Sequence, residues 1–161
     1  MIPMVDLSRQ FEEIKEEVCE RITKILESSH YILGPNVQEF EKLVAGYTGV
    51  SDSIGVASGT DALHLAIEGL DIGEGAEVIT TPFTFFATVE SIIYTGARPV
   101  FVDIEPDAFN IDCSKIEEKI TPRTKAIMPV HLFGHPADMQ RIMDIAAKYD
   151  LYVIEDCAQA F

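Results

Sequence analysis

The sequence is poor in positive charge and in cysteine, and it contains no tryptophan. Only 12 lysine and arginine residues stand against 27 aspartate and glutamate residues, so the formal net charge is −15 at pH 7. A surface this negative repels phosphate backbones, and the sequence therefore predicts no nucleic-acid partner. The three cysteines, Cys19, Cys113 and Cys157, have no metal-like spacing. They predict buried or idle thiols.

Long apolar runs and targeting signals are missing as well. No uninterrupted apolar stretch is long enough to cross a bilayer, and the first six residues lack the basic flank and cleavage pattern of a signal peptide. These absences predict a cytoplasmic protein with no membrane partner. What is present, 161 residues of which 47% are hydrophobic, suits one globular domain with a sizeable core.

Hydrophobic periodicity predicts a helical leader followed by alternating strands and helices. The leader has predicted helices at 11–28 and 37–46, and the acidic run within the first is typical of a solvated face. The predicted strands are short and apolar on both faces, which favours a mostly parallel sheet covered on both sides. We therefore expect an α/β protein with a three-layer α/β/α domain over residues 51–161, preceded by a helical segment over 1–50. The strands are predicted at 53–57, 77–80, 99–102, 125–128 and 152–154, separated by helices at 60–69, 86–95, 114–119 and 138–149.

A small polar turn with one glycine follows the first predicted strand, at the sheet edge where ligands of open α/β sheets bind. In this turn Gly59 allows close backbone approach, and Thr60 could cap the next helix and offer its hydroxyl. The free N–H groups and the dipole of that helix favour a phosphate. A plain helix cap explains the same residues, and both interpretations stay open. No Walker loop or GxGxxG motif is present, which counts against a generic nucleotide-binding domain.

Aromatic and acidic side chains follow two further predicted strands. Phe83, Phe85 and Phe86 crowd one strand-to-helix turn. Phe83 and Phe86 are expected in the core, while one of the three aromatic rings could stack on a planar cofactor. Glu155 and Asp156 stand at the end of the last strand, where a buried carboxylate needs a partner such as a pyridinium nitrogen. A helix cap or a pair with a distant arginine is the alternative.

His131 and His135 flank Leu132-Phe133-Gly134 after the fourth predicted strand, also at the ligand-binding edge. No carboxylate or cysteine lies at metal-ligand spacing from them, so a structural or substrate-edge role is favoured over metal binding. No metal site is predicted.

In this order, the segments of the chain resemble the DegT/DnrJ/EryC1/StrS family of pyridoxal-phosphate (PLP) dependent sugar aminotransferases. The resemblance covers nearly the whole chain and rests on the ordered set of motifs rather than on any single one. The motifs are Val5-Asp6-Leu7, Tyr31-Ile32-Leu33-Gly34-Pro35, Ser58-Gly59-Thr60-Asp61-Ala62-Leu63, Pro82-Phe83-Thr84-Phe85, residues 120–127, residues 129–134 and Glu155-Asp156-Cys157-Ala158-Gln159-Ala160.

The resemblance implies the type I aspartate-aminotransferase fold and assigns roles to five residues. Gly59 and Thr60 would hold the phosphate of PLP, and Phe85 would stack on its ring. Asp156 would pair with the ring nitrogen, and Gln159 would hydrogen-bond near the ring oxygen or the phosphate. The implied reaction moves an amino group from glutamate to a keto sugar, which we expect to be nucleotide-linked, in cell-surface polysaccharide or amino-sugar biosynthesis. A homodimer is also implied.

The family places the Schiff-base lysine a few tens of residues after the Glu-Asp-x-Ala-Gln segment, which lies beyond Phe161. No catalytic residue is therefore assigned within this sequence. We expect it to be part of a longer protein and, alone, inactive. The family sheet order 3-2-4-5-6-7-1 implies that this chain supplies strands 1–5 and that strand 1 is separated from the others. The rest of the large domain and a small C-terminal domain would be absent.

Two alternatives keep the same fold. A PLP- or pyridoxamine-phosphate-dependent sugar dehydratase would carry histidine in place of the lysine. In a non-catalytic regulatory or binding protein, Asp156 and Thr60 would have no function in cofactor binding.

Overall fold

The computed structural model describes residues 5–161. Contacts within the chain divide it into two compact units, Met1–Gly55 and Val56–Phe161. None of the helices among residues 5–161 combines the length and the apolar character that a membrane crossing requires.

The first unit contains two helices, α1 (Leu7–Ser28) and α2 (Pro35–Thr48). Asp6 caps α1, since its carboxylate accepts a hydrogen bond from the Arg9 N–H at 3.3 Å. Pro35 stands at the first turn of α2, where its missing N–H costs nothing. Both predicted helices of the leader are confirmed, and each is a few residues longer than its periodic core.

The second unit alternates helices with short strands, as predicted. Two 3₁₀ turns, Cys113–Lys115 and Glu117–Lys119, replace the short helix predicted at 114–119. The elements are α3 (Gly59–Gly69), β1 (Glu77–Thr80), α4 (Phe86–Tyr94), β2 (Arg98–Phe101), β3 (Thr124–Ile127), α5 (Met139–Tyr149) and β4 (Tyr152–Val153).

The four strands form one parallel sheet in the order β2-β1-β3-β4. Successive residues of the central strands enter two separate cores. Val78 and Ala126 pack with residues of α3 and α4 on one face, and Ile79 and Ile127 pack with residues of α5 on the other. The continuous apolar runs of the strands are thereby explained, because both faces of the sheet are covered.

The prediction of a strand at 53–57 is wrong. The structure assigns it no strand and pairs it with none of the four strands among residues 5–161, and Ile54 is 82% exposed. A short extended segment is stabilised by the hydrogen bonds of a neighbouring strand, and among residues 5–161 this segment has no such neighbour. In the numbering of the five predicted strands, the observed order is 3-2-4-5, as the resemblance implied.

Candidate functional site

The carboxyl edge of the sheet brings together residues that follow β1, β3 and β4. A parallel bridge between Val130 and Asp156 continues the pairing of β3 and β4 beyond their ends. The Asp156 N–H donates to the Pro129 carbonyl at 2.9 Å, and the His131 N–H donates to the Asp156 carbonyl at 3.1 Å. The backbone of Asp156 is therefore fixed to the segment that follows β3.

The carboxylate of Asp156 is buried, with the residue only 5% exposed. The Thr88 hydroxyl donates to Oδ2 at 2.6 Å, and the Ala158 N–H donates to Oδ1 at 3.2 Å. Within residues 5–161, no lysine, arginine or histidine lies within ion-pair distance of this carboxylate. Neutral donors alone leave a buried negative charge without a cationic partner, which is costly unless a ligand supplies one.

Gln159 is held with a defined amide orientation. Its Oε1 accepts a hydrogen bond from the Phe133 N–H at 2.6 Å. An amide oxygen satisfied in this way leaves the Nε2 group as a donor of two hydrogen bonds. The turn that supplies the N–H is tight, because Phe133 and Gly134 both have positive φ, at 55° and 80°. Gln159 is therefore suited to bind an acceptor such as a phenolate or phosphate oxygen.

The N-terminus of α3 is capped by Ser58 rather than by Thr60. The Ser58 hydroxyl accepts from the Asp61 N–H at 3.1 Å and donates to the Asp61 carboxylate at 3.0 Å. The expectation that Thr60 caps this helix is wrong, because the helix begins one residue earlier, at Gly59. Gly59 and Thr60 occupy the first turn, whose N–H groups have no partner within the helix. A Cβ at Gly59 would meet nothing within 4 Å, so the backbone is open to a ligand.

The three aromatic residues between β1 and α4 are all exposed, Phe83 by 46%, Phe85 by 74% and Phe86 by 65%. The expectation that Phe83 and Phe86 belong to the core is wrong. The face of α4 that packs against the sheet carries the small side chains Ala87, Thr88, Ser91 and Ile92. The aromatic rings lie off that face, and Phe85 keeps a free ring surface immediately before the helix.

His131, Glu155 and Cys157 approach one another at the same edge, with one ligand atom of each within 4.8 Å of the others. Chain spacing did not reveal this cluster, because the pairing of β3 with β4 creates it. The Nδ1 of His131 accepts from the Ala137 N–H at 3.0 Å, so the ring proton is on Nε2. That N–H donates to the Glu155 carboxylate at 2.8 Å. A nitrogen that carries a proton has no lone pair for a metal, and this geometry favours a positioned imidazole.

His135 lies at the surface and takes no part in the cluster. Its carbonyl accepts from the Asn110 side chain at 2.9 Å, and Asn110 Oδ1 accepts from the Leu132 N–H at 3.3 Å. The turn between His131 and His135 is thus fixed by Asn110, which sequence reasoning had not singled out.

This architecture is shared with a crystallised bacterial protein. The chain matches S. venezuelae DesV, crystallised in complex with a ketimine intermediate, with a TM-score of 0.97 and 43% identity over 99% of this chain and 43% of that one. The fold is that of the PLP-dependent aminotransferases. The chain belongs to the DegT/DnrJ/EryC1/StrS aminotransferase family, whose sequence profile matches residues 12–161.

Two curated relatives resemble the chain along almost its whole length. A UDP-N-acetyl-3-dehydro-alpha-D-glucosamine 3-aminotransferase of Acidithiobacillus ferrooxidans is 53% identical over 159 residues. A protein of Geobacillus stearothermophilus named a pleiotropic regulatory protein is 49% identical over 159 residues. Each alignment covers 99% of this chain and 43% of the relative, so the chain spans less than half the length of the proteins it matches.

Proposed function

We propose that this chain is the cofactor-binding portion of a PLP-dependent aminotransferase. The reaction moves an amino group from glutamate to a nucleotide-linked keto sugar, in the synthesis of cell-surface polysaccharides or amino sugars. Membership of the family supports the reaction class. The name of the Acidithiobacillus relative supports a UDP-linked acetamido keto sugar as the substrate class.

The observation that carries the proposal is the buried carboxylate of Asp156, which only neutral donors contact among residues 5–161. A protonated pyridine nitrogen is a cation of the size and geometry that this carboxylate lacks. When PLP is bound, its protonated ring withdraws electrons from the carbon that exchanges the amino group. Asp156 binds and orients the ring nitrogen and stabilises its proton.

The other residues at this edge have the donors that the rest of the cofactor requires. The first-turn N–H groups at Gly59 and the Thr60 hydroxyl bind the phosphate at the N-terminus of α3. The Nε2 group of Gln159 donates to the ring oxygen or to the phosphate, because Phe133 already occupies its Oε1. The exposed ring of Phe85 stacks on the pyridine.

The proposal extends to organisation and location. Residues 51–161 belong to the large, PLP-binding domain of the type I fold, and residues 1–50 form a helical segment before it. The protein acts in the cytoplasm as a homodimer. Size-exclusion chromatography with light scattering on the full-length protein tests the dimer.

The reaction is tested by mass spectrometry with the full-length protein, PLP, glutamate and a UDP-linked 3-keto acetamido sugar. The expected result is an amino sugar formed together with 2-oxoglutarate. Asp156→Asn should abolish product formation, and Asp144→Asn on the exposed surface of α5 serves as the matched control. If the wild type forms no amino sugar from any of the keto sugars tested, whatever the position of the keto group, the proposed reaction is contradicted.

A regulatory role is the second candidate, because one relative at 49% identity bears a regulatory name. It predicts that PLP added to the full-length protein produces no Schiff-base absorbance.

A sugar dehydratase of the same family would use the same cofactor-binding residues. The residue that the full-length sequence carries at the cofactor-lysine position separates the two reactions, with lysine indicating transamination and histidine indicating dehydration.

A further inference from the structure

A short chain of hydroxyl groups runs from the start of α4 to the buried carboxylate of Asp156. Thr88 lies in the first turn of α4 and is fully buried, and Thr84 lies just before the helix and is half-buried. The two hydroxyl oxygens are 2.8 Å apart, and the Thr88 hydroxyl is 2.6 Å from Asp156 Oδ2.

The direction of these hydrogen bonds follows from the number of protons. A threonine hydroxyl carries one proton, and Thr88 donates it to the carboxylate. Thr84 must therefore donate in the bond between the two hydroxyls. The resulting order, Thr84 to Thr88 to Asp156, aligns both O–H dipoles toward the negative charge, and consecutive hydrogen bonds of this kind strengthen one another.

Thr88 also fixes which way the carboxylate faces. The Ala158 N–H contacts Oδ1, so each oxygen of Asp156 already accepts one hydrogen bond from a different element. The carboxylate cannot rotate without breaking at least one of these bonds. Each oxygen keeps acceptor capacity for a further donor.

We propose that Thr88, supported by Thr84, is a positioning residue that orients Asp156 toward the ring nitrogen of PLP. This inference rests on the proposed function. In this role Thr88 acts only through the carboxylate to which it donates.

The test compares Thr88→Val with Thr88→Ser in the full-length protein. Valine keeps the shape but removes the donor, and serine keeps the hydroxyl. Thr80→Val is the matched control, because Thr80 is equally buried and donates to the Met128 carbonyl rather than to Asp156. The readouts are the dissociation constant of PLP, the pH profile of the visible absorbance of bound PLP, and the melting temperature.

The expected result is that Thr88→Val weakens PLP binding by about tenfold, because a hydrogen bond to a charged group is lost. Its pH profile also shifts, while Thr88→Ser and Thr80→Val retain wild-type binding and profile. Both valine variants should lower the melting temperature, so only the cofactor readouts distinguish positioning from a general packing role. If Thr88→Val does not fold, Thr84→Val at its half-buried position should weaken binding to a smaller extent.

Two outcomes overturn the inference, and they are distinguishable. Tight PLP binding by the wild type, with the same affinity and pH profile in Thr88→Val, shows that Thr88 does not position Asp156 and leaves the proposed function standing. If Thr88→Val does not fold, the Thr84→Val protein takes its place. Wild-type PLP affinity and a wild-type pH profile in Thr84→Val would then overturn the inference in the same way. No PLP binding by the wild type contradicts the proposed function, and the positioning role with it.

Discussion

At the scale of single residues, the carboxyl group whose pKa is lowered most lies at the opposite end of the sheet from the candidate site. Glu77 begins β1 and is 1% exposed. It accepts from the Thr121 hydroxyl at 2.7 Å, from Arg98 at 2.6 Å, and from Arg123 at 2.9 Å and 2.7 Å. The Thr121 hydrogen bond and the two guanidinium groups together lower the pKa of Glu77 to about 2, against the opposing effect of burial.

A lowered pKa makes Glu77 a source of acid-sensitive stability. Its contribution is fully present above the ordinary carboxyl pKa of 4.5 and is lost as the pH falls through about 2. We expect Glu77→Gln to lower the free energy of unfolding at pH 7 by about 2–4 kcal/mol, because the hydrogen bonds and guanidinium charges that lower the pKa of Glu77 then no longer stabilise a charged carboxylate. Urea unfolding as a function of pH measures this, and the wild-type and variant curves should converge below about pH 2.

Glu117→Gln is the matched control for that series. Glu117 pairs with Lys148 at 2.6 Å, but it is exposed. Solvent screens such pairs, so we expect a much smaller loss at pH 7. An equal loss in the two variants would contradict the role given to burial at Glu77.

Residue types at strand ends predicted part of the candidate site, and the structure shows how far. The buried carboxylate of Asp156 follows from its place at the end of an apolar strand. The contact with Thr88 does not, because 68 residues separate the two and only the packing of α4 brings them together. The cap of α3 was misplaced by two residues because both Ser58 and Thr60 are suited to cap a helix.

At the scale of elements, period and apolar content predicted the five α-helices and the four strands well, whereas the helix predicted at 114–119 is two 3₁₀ turns. The segment at 53–57 has the composition of a strand but forms none. Composition reports whether a segment suits a buried sheet, and pairing depends on a neighbour that the local sequence does not specify. The aromatic turn before α4 was misjudged for a related reason, since hydrophobicity does not reveal which side of a turn faces the core.

The turn after β3 supports the orientation of Gln159, and Gly134 is its most sensitive position. Gly134 has φ of +80°, and a Cβ there would lie 3.2 Å from the Gln159 carbonyl oxygen. We expect Gly134→Ala to destabilise the protein by about 1–2 kcal/mol, because an L-residue is strained in this conformation. Thermal and urea unfolding measure the change.

Gly69→Ala provides the control for that substitution. Gly69 ends α3, its Cβ would meet nothing within 4 Å, and its φ is not positive. Alanine has the higher helix propensity, so this variant should be neutral or stabilised. A Gly134→Ala protein as stable as Gly69→Ala would show that the turn is not strained in the way the backbone indicates.

At the scale of the whole molecule, the sheet order β2-β1-β3-β4 decides what the candidate site contains. Because β3 lies between β1 and β4, the segments that follow all three strands meet at one edge. Asp156 and Gln159 thus lie beside the turn that carries Phe133, and Thr88 reaches the same carboxylate from α4. The parallel sheet predicted from the sequence already placed these segments at one edge, but the order in which they lie side by side was implied only by the resemblance to the family.

The most direct test of the account is to measure the equilibrium binding of PLP and of NAD to the full-length protein by absorbance and calorimetry. We predict that PLP binds and NAD does not, and that Asp156→Asn weakens PLP binding by at least about tenfold because the ring nitrogen loses its charged partner. Failure of PLP to bind, or equal PLP affinity in the wild type and Asp156→Asn, would contradict the assignment of this sheet edge as the cofactor site.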